Sequence, residues 1–244
     1  LLLKPFMVVP PAALDLRDPG AFKDVVVASL LAADNLEVVS IWNPSYWLVL
    51  LAHALQHLER LQPELVSGNI TRGNVRFRFK PVAHDRMRTI ARASDQGWNA
   101  VWPDLHLISC WTDAEASGPA STLARHFPGV RIQGKGLLAT EAPITVPMAG
   151  AISPVPLVDS VYLELLFPDG SLKPMAQWRE GDCGELVVTS PGGLLRYRLH
   201  DQVGVSGFFQ ATPCLIFQGR TGGVVDLVGE KLSEELARHA LSGF

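Results

Sequence analysis

Apolar residues in the first half of the chain alternate between two spacings. AFKDVVVASLLAADN, from Ala21, repeats them as a helix does, and LEVVSIW (36–42) is a short apolar run of strand length. Asn43-Pro44-Ser45 then supplies a helix start, and YWLVLLAHALQHL carries a largely apolar helix to about Leu58. WPDLHLISCW predicts a second buried strand, ASTLARHFP a helix, and VRIQ a third strand; residues 84–98 predict a polar helix. Strand–turn–helix order of this kind is what a helix-covered, mainly parallel sheet requires, so residues 1–150 read as α/β. Residues 1–20, rich in Pro and Asp, read as an extended lead-in. The stretch 61–80, punctuated by SGNITRGN, gives no clear period.

The texture changes after about residue 150. VYLELLF, GELVVTS, LLRYRLH and CLIFQ are short alternating runs separated by PDG and PGG, which are hairpin signals. Residues 151–218 therefore predict a small antiparallel, barrel-like subdomain. From Gly219 the sequence GRTGGVVDLVGEKLSEELARHAL reads as a glycine-rich connector running into a helix, with residues 219–244 as a hinge and the start of a further domain.

Composition narrows the functional classes. The 244 residues carry 21 Lys and Arg against 24 Asp and Glu, a formal charge of −3, and contain no basic block, which gives no footprint for nucleic acid. The longest apolar run near a helix, Tyr46 to Ala52, is too short to span a bilayer. Cys110, Cys183 and Cys214 are odd in number, far apart and without a C-x-x-C, which argues against a disulfide framework or zinc knuckle and for the cytoplasm.

RIQGKGLLATEAP (131–143) carries the chemistry. Gly134, Gly136 and Ala139 fit the G-x-G-x-x-A turn of a dinucleotide fold, and Asp159 lies at a tolerable distance. That fold needs the turn to open a long helix, whereas Pro143 and Pro147 would break one. Thr140 and Glu141, a hydroxyl beside a carboxylate, suit a magnesium–nucleotide site instead. Downstream, RYRLHD (196–201) ends a strand on Asp201, whose two carboxylate oxygens can accept both hydroxyls of a ribose. Arg220 and Lys231 follow as cations for phosphate charge.

This order of elements resembles the adenylate-forming superfamily. CWTDAEASGPASTLARHFPGVRIQGKGLLATEA, GLLRYRLHDQVGV and GRTGGVVDLVGEKLSEE look like the Gretchen Hagen family of auxin-responsive acyl-acid amido synthetases, in its bacterial form. The resemblance implies part of the large N-terminal domain of such an enzyme, and a reaction in two steps: adenylation of a carboxylic acid by ATP with Mg²⁺, then acyl transfer to an amine such as an amino acid. It implies that the loop around Gly136, Leu138 and Thr140 holds nucleotide, with Thr140 on the α-phosphate and Glu141 as the Mg²⁺ ligand. Leu138 stands where an aromatic commonly packs on adenine. Asp201 would hold ribose, Arg220 ribose or phosphate, and Tyr197 is a further ligand position that could equally pack in the barrel. Lys231 reads as a solvated helix residue.

Two positions depart from the family pattern: His200 replaces a glycine before Asp201, and Gly222–Gly223 replace an acidic hinge. The upstream phosphate loop and the small C-terminal domain are expected to lie outside this chain, which reads as the central and rear part of the large domain. A second function class is a non-catalytic nucleotide-binding or interaction module derived from such a ligase. An α/β-hydrolase lacks its G-x-S-x-G here. His53 and His57, at i and i+4, have a usable metal-ligand spacing but no neighbouring carboxylate in the sequence, so they read as an ordinary helix face.

Overall fold

The computed structural model describes residues 7–221, together with the backbone of strand residues 224–227 and 230–233. It divides into two compact units. The first takes the chain up to Cys110 together with Gly118–Ile132; the second takes Trp111–Ser117 and the chain from Gln133 onward.

In the first unit a short 3₁₀ turn, Pro11–Asp15, replaces the predicted extended lead-in and runs into α1 (Pro19–Ala32). Asp18 caps α1 by accepting the Ala21 amide at 2.6 Å, and Pro19, which has no N–H to waste, occupies the first turn. Strand β1 (Val38–Ser40) follows, then α2 (Pro44–Gln56), capped in the same way by Asn43 onto the Ser45 amide at 2.9 Å. The unassigned stretch resolves into α3 (Leu58–Ser67) and a hairpin of β2 (Asn69–Arg72) and β3 (Val75–Arg78). Gly68, in the left-handed region at φ 72°, ends α3. The polar helix predicted over 84–98 is broken at Arg92 into α4 (His84–Ala91) and a single turn, α5 (Ala93–Gln96), and is followed by a 3₁₀ turn, Trp98–Ala100, in which Trp98 is buried.

Strand β4 (Leu107–Cys110) pairs in parallel with β1, Val39 opposite Ile108. Helix α6 (Ser117–His126) leads to β5 (Arg131–Gly134), and the sheet order is β1-β4-β5. The core is aromatic at its centre: Trp98 stacks on Trp102 at 5.4 Å, and Trp102 on Phe127 at 6.4 Å. The Trp102 indole N–H donates to the Leu30 carbonyl, 3.0 Å. Arg86 donates to the carbonyls of Leu31, Ala33 and Val101, closing the C-terminal end of α1.

A charged cluster lies within this unit. The buried Asp24 accepts from His53 Nε2 at 2.7 Å, from two Arg60 nitrogens at 2.8 and 2.6 Å, and from Arg72 Nε at 2.8 Å. Burial pushes the Asp24 carboxyl up, but its bonds from Arg60, His53 and Arg72 outweigh that and hold it well below the usual range. The carboxylate that His53 lacks in sequence thus arrives from α1, across 29 positions, and uses the imidazole as a donor. Among the described residues no group of three or more His, Cys, Asp or Glu could hold a metal ion, and no helix is long and apolar enough to cross a membrane.

The second unit is antiparallel. β6 (Thr145–Val146) pairs with β7 (Val155–Pro156). β8 (Tyr162–Leu166), β9 (Leu172–Pro174), β10 (Cys183–Thr189), β11 (Tyr197–Phe209) and β12 (Thr212–Arg220) form one sheet in the order β12-β11-β10-β8-β9. The PDG and PGG punctuation falls in the β8–β9 and β10–β11 connections, as predicted. Leu163, Leu165, Leu186, Val188, Val203 and Leu215 build the core of this unit from one face of the sheet. Beyond it, β13 (Val224–Leu227) and β14 (Glu230–Ser233) pair as a hairpin. The connector-and-helix reading fails there: VVDL and EKLS pair as strands, Asp226 opposite Lys231, so Lys231 is not on a helix. Gly222–Gly223 and the segment from Glu234 lie outside the described residues.

Candidate functional site

The stretch that carries the nucleotide fingerprint is a tight loop on β6, not the start of a helix. Leu137 donates its amide to Thr145 Oγ1 at 2.7 Å, and its carbonyl receives the amides of Ile144 and Thr145 at 3.1 Å each. Ala139 bonds the Ala142 carbonyl at 3.2 Å, and Leu138 bridges Pro143. This ladder closes the base of the loop and puts Thr140 and Glu141 at its exposed tip, where Thr140 Oγ1 donates to Glu141 Oε2 at 2.9 Å. Gly136 is required for the turn. It sits at φ 77°, and a Cβ there would stand 2.6 Å from Thr145 Oγ1 and 3.0 Å from the Thr145 carbonyl. Leu138 is 40% exposed and presents an apolar surface beside the tip.

Asp201 lies inside β11, not at a strand end as its sequence suggested. Its carboxylate is nearly closed off, with the residue 2% exposed, and Oδ1 accepts from Arg220 Nε at 2.8 Å. The two residues are direct cross-strand partners between β11 and β12. Burial raises the Asp201 carboxyl above its usual pKa; the Arg220 charge and hydrogen bond oppose this, and the nearby charge of Glu141 adds to it. The structure therefore brings Glu141 and Asp201, sixty residues apart in sequence, into electrostatic reach of each other in one unit.

Local backbone explains how Asp201 turns inward. On β10, Glu185 faces Gln202 and Val187 faces Arg198, so one residue of β10 is set against three of β11, Leu199 to Asp201. Leu199, Asp201 and Val203 stand at alternate positions and are all buried; the two added residues leave that alternation in step. His200 sits between them at φ 62°, the left-handed region that a glycine would enter without penalty. His200 adopts that conformation despite its side chain, and the side chain is used: His200 Nδ1 lies 3.2 Å from Glu185 Oε1. The His200 carbonyl accepts from the Thr221 amide at 2.8 Å, which ties the chain after Arg220 to the turn before Asp201.

Tyr197 is 43% exposed, and it stands between two arginines that make ion pairs. Arg196 makes a two-pronged bond to the buried Glu164, 3.0 and 2.9 Å, and Arg198 does the same to the buried Glu185, 2.9 and 2.6 Å. Sequence reading missed these pairs. The signal was present as arginines at alternate positions in R-Y-R, and as a lone glutamate among apolar residues in each of β10, beside β11, and β8, the next strand over.

Comparison with known proteins bears on this sheet directly. Residues 157–220 match the GH3 family central domain. That region holds Asp201 and Arg220. The GH3 likeness recurs among curated proteins from Oryza sativa subsp. japonica. A probable indole-3-acetic acid-amido synthetase, GH3.7, is 45% identical over 62 residues, a quarter of this chain and 10% of that protein. A second, GH3.6, is 28% identical over 167 residues, 57% of this chain and 32% of that protein. Among solved structures, the AtGH3.15 acyl acid amido synthetase in complex with 2,4-DB superposes with a TM-score of 0.67 at 18% identity, covering 91% of this chain and 42% of its own. A further GH3.15 acyl acid amido synthetase structure gives the same score, covering 96% and 45%. At that identity the likeness is one of fold, and the chain spans less than half the length of these GH3 proteins. The expected mixed α/β architecture, with a helix-covered parallel sheet and an antiparallel sheet, is thus the architecture found.

Proposed function

We propose that this chain is the central part of an ATP-dependent ligase of the acyl-acid amido synthetase kind, of bacterial type, acting on a small carboxylic acid and an amine such as an amino acid. The observation that carries the proposal is the Asp201–Arg220 pair held within electrostatic reach of the Thr140–Glu141 loop tip. In the first step a carboxylate oxygen of the substrate attacks the α-phosphorus of ATP; the acyl–phosphate bond forms, the bond to the β-phosphate breaks, and pyrophosphate leaves. In the second, an amine nitrogen attacks the acyl carbon, the C–N bond forms, AMP leaves with the electrons of the acyl C–O bond, and the nitrogen releases a proton to solvent.

The protein's part is positioning and charge stabilisation. Thr140 would donate its hydroxyl to an α-phosphate oxygen, and Leu138 would cover one face of adenine. Asp201 would accept from the ribose hydroxyls, with Arg220 held beside it and Tyr197 exposed four residues upstream. Glu141 fits Mg²⁺: an exposed carboxylate next to a hydroxyl suits an ion that binds through one or two carboxylates plus substrate phosphates. When bound, the ion neutralises phosphate charge. Residues 219–244 would be the hinge and the start of a further domain. The three cysteines, all free, suit the cytoplasm.

A second reading, a non-catalytic nucleotide-binding or interaction module, draws on how fully Arg220 and its surroundings cover Asp201. Titration calorimetry with a non-hydrolysable acyl-adenylate mimic and Mg²⁺, on this chain and on Asp201→Ala, separates the possibilities. Saturable binding that Asp201→Ala removes is the expected result. A folded chain that does not bind the mimic would overturn the nucleotide site, and binding unaffected by the substitution would remove Asp201 from it.

A further inference from the structure

We propose that Asp113 is a positioning residue that sets the Asp201–Arg220 pair, an assignment that rests on the nucleotide-site reading above. The residues come from a strap, Trp111–Ser117, that belongs to the second unit although both its flanks belong to the first. The strap is locally built. Ala114 holds a left-handed φ of 48°, Ala116 N bonds the Asp113 carbonyl at 3.0 Å, and Ser117 Oγ bonds the Ala114 carbonyl at 2.7 Å. A left-handed alanine is disfavoured and is kept only where surrounding contacts fix it.

Thr112 and Asp113 each reach from the strap to a segment that carries proposed site residues. Thr112 Oγ1 stands 2.5 Å from where a Cβ on Gly134 would lie, so the strap packs on the backbone that leads into the Gly136–Glu141 loop. Asp113 Oδ2 accepts the Phe217 amide of β12 at 3.2 Å, while its Oδ1 accepts from Thr112 Oγ1 at 3.0 Å. β12 is an edge strand, and its alternate amides bond outward: Leu215 N to the Pro154 carbonyl at 2.9 Å, then Phe217 N to Asp113.

The place of that second bond is what matters. Val203 faces Phe217 but Gln202 faces Gly219, so the β11–β12 ladder slips at Gln218, and only after the slip does Arg220 come opposite Asp201. A slip of one residue turns a side chain to the other face of a sheet unless something fixes it. Asp113 holds the last outward amide before the slip. It therefore sets where the extra residue falls, and with it which face Arg220 presents to Asp201.

The test uses the full 244-residue chain, with Asp113→Ala, which removes the acceptor, and Asp113→Asn, which retains an oxygen that can accept the amide. Amide hydrogen exchange at Phe217 through Thr221 is expected to quicken by about tenfold or more in Asp113→Ala, as loss of one protecting bond allows, and to return close to the original rate in Asp113→Asn. Amides of β8 and β10 should keep their rates. The affinity for the acyl-adenylate mimic should fall and recover in parallel. Unchanged exchange at 217–221, or an equal quickening across β8 and β10, would overturn the assignment, as would a mimic affinity indifferent to Asp113→Ala. If the unmodified chain does not bind the mimic, the nucleotide reading falls, and the exchange rates still decide whether Asp113 sets the slip.

Discussion

His200 shows how a single residue can keep a geometry that its side chain disfavours. A left-handed conformation costs an L-residue about 1–2 kcal/mol, and His200 adopts it at φ 62° while reaching Glu185. His200→Gly removes the backbone strain but gives up that contact and about 0.5–1 kcal/mol of chain entropy. Its thermal midpoint should consequently stay within a few degrees of the original. His200→Val, β-branched and badly suited to positive φ, should lower stability by about 1–3 kcal/mol in urea unfolding. Asp201 makes a separate prediction through pH. Its carboxyl is raised mainly by burial, and accepting two ribose hydroxyls requires the ionised form. Affinity for the acyl-adenylate mimic should thus begin to fall, on acidification, at a higher pH than an ordinary aspartate would dictate, and Asp201→Asn should bind weakly with that pH dependence gone.

At the scale of elements, α1 depends on a residue three helices further along the chain. Arg86 satisfies three carbonyls, two of them at the end of α1. Arg86→Met keeps the aliphatic stem and removes the donors; it should cost about 2–3 kcal/mol in urea unfolding, since bonds from a charged group to otherwise buried acceptors are lost. The start of α2 was legible because N-P-S states both a cap and a first-turn proline; α1 begins two residues before the Ala21 that the apolar period marks, because Asp18 and Pro19 cap and open it in the same way. The paired strands after residue 155 were legible from alternation and turn residues. What sequence could not carry is long-range register. R-Y-R-L-H-D looked like a strand end because nothing local shows that its arginines reach Glu185 on the next strand and Glu164 on the one beyond, or that the strand gains two residues beside Leu186. The hairpin after Arg220 was read as a connector because its glycines hid two four-residue strands. The loop tip at Thr140–Glu141 was found from residue type alone, whereas Asp113 gave no signal, since its partner is a backbone amide 104 positions away.

Across the whole molecule, the charged cluster in the first unit links stability to pH. The Asp24 carboxyl is lower in the folded chain than its ordinary value of 3.8, so the folded state binds fewer protons than the unfolded one as acid is added. The stability this provides is fully present above that ordinary value and is lost as pH falls below it. Urea midpoints at pH 5 and pH 3 should differ more in the original chain than in Asp24→Asn. The variant should also be weaker at pH 7, by about 3 kcal/mol, because Arg60 and Arg72 lose the carboxylate they share.

The strap has a consequence for how this fold can be passed between genes. Residues 157–220 carry the Asp201–Arg220 pair, and a piece beginning at Gln133 would also carry the loop tip and every strand of the antiparallel sheet. Neither includes Trp111–Ser117. An exchange that moved the sheet as one contiguous segment would deliver the two visible halves of the site and leave behind the carboxylate that fixes their register, so the smallest heritable unit of this site begins at Trp111, inside what the first unit encloses on both sides.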